Sequence, residues 1–452
     1  MEDAILCSTK NETGKRGKGM KFKKAICAGL SLALVATSLA MPMGVQAAEG
    51  TDEEITLTVH IHYSDESGKE LADYAAEKVK EKYPNVTLEF EDFIGDGGQT
   101  LKTRAATGDL PDIIKLDGGT INALAASGNL LTLDDYYEET NYTDHLPQNV
   151  IDNSLYSSDG HIYQFPIDGI APVLWYYNKQ IFEENNIKVP TNYDELMTAI
   201  EQLQALDIIP VAMFGKEPWP VGAFFDTFAV KENAGGLKAL SLGEAKASDE
   251  GYTKAINKIA DAVEAGIFQE GVTNTDSDTA IAMFEEGQAA MILNGSWYLT
   301  TAMEALGEDN VDFLDTYPTG DGEESEEVMN RMAGGPDTAG VGVAASTEYP
   351  EIAIDVAAIF AQAREELEYS KYHLLTAPVK TDEIEIEGEL APVQEKLLSK
   401  VPEYTYGSQF VHTLANTKFS ADMIEELQKL LVGESAEEFI ANVDESIEKT
   451  VE

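Results

Sequence analysis

The sequence predicts an α/β protein built on a parallel sheet with helices on both faces, and three observations carry this. Between residues 55 and 128, strand-like and helix-like patterns alternate as repeated βα units. From about Val173 to Tyr298 the same mixture returns. No self-similarity at a period of roughly 20–50 residues runs along the chain, which excludes a solenoid.

Each element follows from local pattern. Ile55 to Ile61 alternates β-favouring residues and reads as a strand. Leu71, Tyr74, Ala75 and Val79 recur at helical spacing, so Leu71 to Lys82 is a helix stopped by Pro84. Val86 to Phe93 is a second strand, followed by the loop Gly95-Asp96-Gly97-Gly98. Thr100 to Thr107 is a helix ended by Gly108, Asp112 to Leu116 a third strand, and Ile121 to Ala126 a helix closed by Gly128. In the second stretch, Val173 to Tyr177 is a strand, Thr191-x-x-Asp194 resembles a capping box, and Ile208 to Phe214 and Ala290 to Asn294 are strands. Thr319 to Val328, rich in Gly and Glu, reads as a linker or exposed loop. A short strand at Val341 precedes a long helix from Tyr349 to about Tyr369, and Ser420 to Thr450 is helical around Gly433. Ligands of such sheets lie beyond the carboxyl ends of the strands, which points at Tyr63 to Glu66, Gly95 to Gln99 and Asp117 to Thr120.

The amino terminus reads as an export signal. Lys21, Lys23 and Lys24 form a basic patch after Met20, an apolar run follows from Ala25, and Val45-Gln46-Ala47 offers a small-x-small cleavage site. Met20 is the expected start, with the residues before it an upstream extension. The run from Ala25 to Ala48 is also long enough for an uncleaved anchor; Pro42, Gly44 and the Val-x-Ala favour cleavage. Cys27 follows Lys24-Ala25-Ile26, which is no lipobox, so the mode of attachment stays open.

The two cysteines, Cys7 and Cys27, both precede that cut, so disulfides, a cysteine nucleophile and a thiolate metal site are excluded from the mature chain. The formal charge is −50; residues 1–47 carry seven Lys/Arg and three Asp/Glu, so the chain without them stands at −54. Such a field repels phosphate backbones, which excludes nucleic-acid binding, and reads as a solvated acidic surface.

Several ordered segments then resemble the family 1 extracellular solute-binding proteins that serve carbohydrate ABC importers. They are Leu101 to Asp134, with Gly108-Asp109-Leu110-Pro111-Asp112 and Gly128-Asn129-Leu130-x-x-Leu133-Asp134; Asp159-Gly160-His161-Ile162-Tyr163; Trp175-Tyr176-Tyr177-Asn178-Lys179; and Pro190 to Leu196. The segment Phe284-Glu285-Glu286-Gly287-Gln288 through Asn294-Gly295-Ser296-Trp297 matches best. The resemblance implies a two-lobed periplasmic-binding-protein-like fold with a hinge and a cleft between the lobes. It implies crossings near Ile167 to Ala171, Thr319 to Arg331 and Thr376 to Lys380. The lobes would then be 48–168 with 331–377, and 169–330 with 378–452, after the extension and signal at 1–47. It also implies an oligosaccharide ligand, importer permease subunits as partners, a monomer at the extracellular face or in the periplasm, and no cofactor and no enzymatic activity.

A sugar ring offers apolar C–H faces and a rim of hydroxyls, so its site wants aromatic plates with carboxylates or amides. Trp297 follows a strand's carboxyl end and matches the family's sugar-stacking tryptophan. Trp219, between Pro218 and Pro220, is expected on a loop as a second plate, with Glu217 beside it as a hydroxyl acceptor. Trp175, inside an apolar strand, belongs to the core. Asp117 ends the third strand, where the resemblance places a sugar contact; Tyr63, Asp65 and Glu66 follow the first. Asp168 falls at a crossing, as hinge or ligand group, and Gly334, Gly335 and Asp337 are expected to line the cleft. Tyr404 and Tyr406 are rim candidates.

Two other readings remain. A secreted glycoside hydrolase needs two carboxylates about 5–10 Å apart, and no motif places such a pair. A metal-binding importer component would use His60 and His62, two apart on a strand and so on one face, against the plainer reading of a satisfied or exposed pair. The absence of a Gly-x-x-x-x-Gly-Lys-Ser/Thr loop excludes the ATPase itself.

Overall fold

The computed structural model describes residues 54–94, 96, 98–167, 169–336 and 339–451. The export signal, both cysteines, Asp168 and Asp337 lie outside the described residues.

Among the described residues ten strands occur in chain order: β1 (Ile55–Ile61), β2 (Val86–Asp92), β3 (Ile113–Leu116), β4 (Phe165–Pro166), β5 (Ile170–Asn178), β6 (Ile209–Ala212), β7 (Ala289–Gly295), β8 (Val311–Phe313), β9 (Gly334–Pro336) and β10 (Gly340–Val343). Nine of them form two sheets, of order β2-β1-β3-β10-β4 and β6-β7-β5-β8, and β9 pairs with β5 off this path. Each sheet anchors a lobe.

In the first lobe β1 pairs in parallel with β2 and β3, as expected. β10, however, runs antiparallel to β3 and β4. A parallel neighbour needs a crossover connection. The chain reaches β10 only a few residues after β9, at the end where β3 finishes, and pairs with β3 in the opposite sense. Leu57, Val59 and Ile61 of β1 face one core with Val341, Val343 and the helix Pro350–Ser370. Ile114 and Leu116 of β3 face a second, with Leu101, Ile121 and Leu124. Both faces are covered, and each fully buried aliphatic or aromatic side chain contributes about 1.5–3 kcal/mol.

The second lobe is wound around β7, every residue of which is buried. Trp175, Phe224, Phe225 and Phe228 fill its core. Trp175 is 1% exposed, as its apolar strand requires.

Caps account for most boundary shifts. The helix expected from Leu71 spans Glu66–Lys82, because Asp65 caps it by accepting a bond from the Gly68 N–H at 2.7 Å. The helix after Pro190 is capped by Asn192, one residue beyond the expected Thr191, and spans Tyr193–Gln204. Asn is the stronger cap. Glu195 instead reaches back to the Thr191 N–H and hydroxyl at 3.0 and 2.9 Å. The carboxyl-terminal helical segment is two helices, Thr417–Leu430 and Ala436–Thr450, with Gly433 at φ 97° between them.

Three chain segments meet between the lobes. Residues Ile170 to Pro172 of β5 pair antiparallel with β9. Gly169 lies against the third: a Cβ there would sit 1.5 Å from the Thr376 carbonyl oxygen. The crossing expected at Thr319 to Arg331 is instead β9. Residues 319–329 stay on the second lobe, where the Thr319 hydroxyl donates to the Thr227 carbonyl and Lys254 and Lys258 hold Asp321. A Gly- and Glu-rich stretch looks like a linker until its charges find partners.

Candidate functional site

β7 ends at Gly295 and turns at once through Ser296–Tyr298, which swings Trp297 out of the core to 47% exposure. Trp219 is not on a loop. It occupies the first turn of the helix Pro218–Glu232, where flanking prolines are tolerated because first-turn N–H groups have no helical acceptor. The two indoles meet with centroids 5.5 Å apart at 61°, and Phe410 closes on Trp219 at 6.0 Å and 88°. Phe214 backs Trp219 from inside at 5.2 Å.

These rings form one wall of a cleft of about 480 Å³. The first lobe supplies polar groups opposite: His62, Lys115, Arg364 and Glu368. Gly169, Ala171 and Thr376 form the floor at the crossings. The Arg364 guanidinium, nearly buried, donates to the Ile167 carbonyl at 3.2 Å and to Glu365 and Glu368 at 2.6 Å each. Because Glu365 is fully buried, the cation is matched by charge within its own helix. Lys115 and His62 both lie against Phe93. His412 rides the turn Val411–Thr413 into the cleft, which lies beside the helix Gly118–Ala126 of the other lobe. The residue is solvent-exposed, with partial desolvation of the ring by the protein packed about it. That desolvation lowers its pKa, opposed by the charge of Asp117.

The structure thus brings Trp297 and Trp219 together in the cleft and sends other expected site residues elsewhere. Asp117 caps the helix Gly118–Ala126, accepting from the Thr120 N–H at 2.7 Å, and meets the cleft through its field on His412. Glu217 accepts from the Ser277 N–H at 3.1 Å. Asp65 is spent on its helix cap; its bonds from the Gly68 N–H and the Ser67 hydroxyl hold its pKa below the usual carboxylate range. Glu66 is an exposed first-turn residue of the same helix. Tyr63 stacks on Phe90 at 4.8 Å and donates to Asp73. Gly335 is not among the residues lining the cleft, and a Cβ there would lie 2.9 Å from the Ser408 carbonyl oxygen. Tyr404 and Tyr406 turn their hydroxyls into the interior rather than to the rim.

His60 and His62 both contact Phe93, but His60 is 3% exposed while His62 is exposed. Among the described residues no group of three His, Cys, Asp or Glu side chains is placed to hold a metal.

The sequence reading missed Phe410, His412, Lys115, Arg364 and Glu368. Lys115 had a signal, a lone charge in the apolar strand Ile113–Leu116. So had Arg364-Glu365-x-x-Glu368, a charged cluster after an alanine-rich apolar helical run. Phe410 and His412 had none.

Comparisons with known proteins bear on the family and the fold. A family model described as bacterial extracellular solute-binding protein matches residues 64–363, more than half of the chain. An uncharacterized ABC transporter extracellular-binding protein of Pyrococcus horikoshii is 30% identical over 243 residues, 51% of this chain and 53% of that one. The multiple sugar-binding protein of Streptococcus mutans is 26% identical over 216 residues, 46% and 49% of the two chains. The chain spans about half the length of these relatives. A solved structure from work on xylan utilization by the thermophilic bacterium Caldanaerobius polysaccharolyticus superposes with TM-score 0.74 at 25% identity, covering 86% of this chain and 99% of that one.

Proposed function

We propose, from the premise that this chain belongs to the bacterial extracellular solute-binding protein family, that it captures a carbohydrate outside the cell and passes it to the permease of an ABC importer. One observation carries the carbohydrate reading: an aromatic wall of Trp219, Trp297 and Phe410 faces a polar wall of Arg364 and Glu368 across one cleft. Sugar C–H faces stack on the first, and hydroxyls bond to the second. The sugar-binding relative and the xylan-utilization neighbour support the same ligand class.

The ligand we infer is an oligosaccharide, held in a cleft of about 480 Å³. Closure about the three crossings would bring the polar wall onto the ligand, the chain passing between lobes beside Gly169, at β9 and beside Thr376. Asp168 and Asp337, beside the crossings in sequence, stay with Trp297, Trp219 and Asp117 in the proposed contact set. In this reading the protein acts as an exported monomer and turns nothing over, as a solute-binding protein does, and Glu368 in the cleft is paired with Arg364.

The test is a thermal-shift panel of xylo-, malto- and manno-oligosaccharides, with a reducing-end assay alongside. A ligand at 100 times its Kd adds about 2.7 kcal/mol. Release of reducing ends, or no shift with any glycan, overturns the reading.

A further inference from the structure

Gly295 has an ordinary extended backbone, with φ −74° and ψ 166°, so no conformational demand explains a glycine there. Space does. A Cβ on Gly295 would lie 2.2, 2.2 and 2.4 Å from three consecutive carbons of the Trp297 indole, Cη2, Cζ3 and Cε3. Near-equal distances to three adjacent ring atoms mean approach through the face of the ring; an approach through its edge would leave one atom clearly nearest. The indole therefore lies face down on the Gly295 backbone. Its inner face is used up, and its outer face gives the ring its 47% exposure.

Two further contacts fix this pose. Trp219 meets Trp297 at 61° and is itself held by Phe214 and Phe410, so it acts as a rigid stop at one side. Beneath, Gly295 is anchored by the Tyr176 hydroxyl on its carbonyl at 3.0 Å and by its pairing with Val173.

We propose that Gly295 and Trp219 are positioning residues that hold Trp297 as a one-faced plate, so that the cleft stacks a single sugar face there rather than sandwiching a ring. This rests on the carbohydrate reading for its purpose but not for its geometry. The rigid plate gains affinity by removing the ordering cost a free indole would meet on binding.

The geometry can be tested without any sugar. The chain has three tryptophans, and Trp175 is buried. Two indoles 5.5 Å apart at 61° couple as excitons, so the ligand-free protein should show a circular-dichroism couplet that W219F and W297F each abolish. G295A should cut that couplet at least by half while unfolding stays cooperative. A folded G295A protein with the full couplet overturns the proposal. Should G295A not fold, W219A and W219F decide. Acrylamide quenching of Trp297 should rise at least twofold in W219A and not in W219F, where a ring remains; equal quenching in the two variants overturns the buttress. Wild-type protein that shows the couplet but binds no glycan of the panel counts against the carbohydrate reading and leaves the positioning of Trp297 intact.

Discussion

Asp117 and His412 act on one another from opposite sides of the cleft, the carboxylate capping a helix of the first lobe and the imidazole riding a turn of the second. In this structure desolvation lowers the His412 pKa, and Asp117 offsets part of that loss. Further parting of the lobes would return the ring to water and toward its ordinary value near 6.5. Acid therefore favours the open form, so closure is strongest above that value and weakens as pH falls below it. Glycan affinity should drop by about threefold or more between about pH 7.5 and 5.5. Titration calorimetry should find the slope flattened in His412→Gln and steepened in Asp117→Asn, which keeps the helix cap. His62 also lines the cleft; a slope lost in His62→Gln but kept in His412→Gln would reassign the effect.

Removing the plate is the plainest test of the site. Trp297→Ala should weaken binding of the panel's best glycan at least tenfold, about 1.4 kcal/mol, with the melting temperature nearly unchanged because the ring is half exposed. Unchanged affinity in folded protein would move the site elsewhere.

Asp226 gives a prediction about stability. It is 1% exposed, and burial lifts its pKa to about 7 despite bonds from the Ser408 hydroxyl at 2.6 Å and the Leu237 N–H at 2.8 Å. Between about pH 4 and 7 the folded protein keeps a proton that the unfolded chain releases, so stability falls as pH rises through that window. Asp226→Asn should lose this dependence and gain on the order of 2 kcal/mol over wild type at pH 8 relative to pH 4. Urea unfolding at the two pH values measures it, and parallel profiles would refute it.

Much of this was legible in the sequence because period and punctuation are local. β1 was read at its true bounds, and Gly108, Gly128 and Gly433 marked real ends. What failed was non-local. The reversal of β10 depends on where the chain returns from the other lobe, and the ties on residues 319–329 depend on lysines some sixty positions earlier. Within the site, Trp297 and Trp219 stood out by residue type. Asp65 and Glu217 misled because a carboxylate after a strand serves a cap or a backbone N–H as readily as a ligand. Phe410 reaches the cleft only because its segment folds back onto the second lobe.

The crossings make a sharper prediction. Gly169→Ala would drive a methyl group into the Thr376 carbonyl, so two backbone segments must separate. Overpacking of this kind costs about 1–3 kcal/mol or more. Thermal melts should show at least that loss, and a wild-type melting temperature would mean the segments part freely.

The cleft also has a place in time. His62 and His412 line the same space although 350 positions separate them in the chain. During synthesis and export the first lobe's opening strands emerge long before Phe410 and His412 exist. Contacts between such distant segments form late and slowly. No fragment ending before these residues carries the finished wall, so the proposed recognition waits on the segment that holds Phe410 and His412.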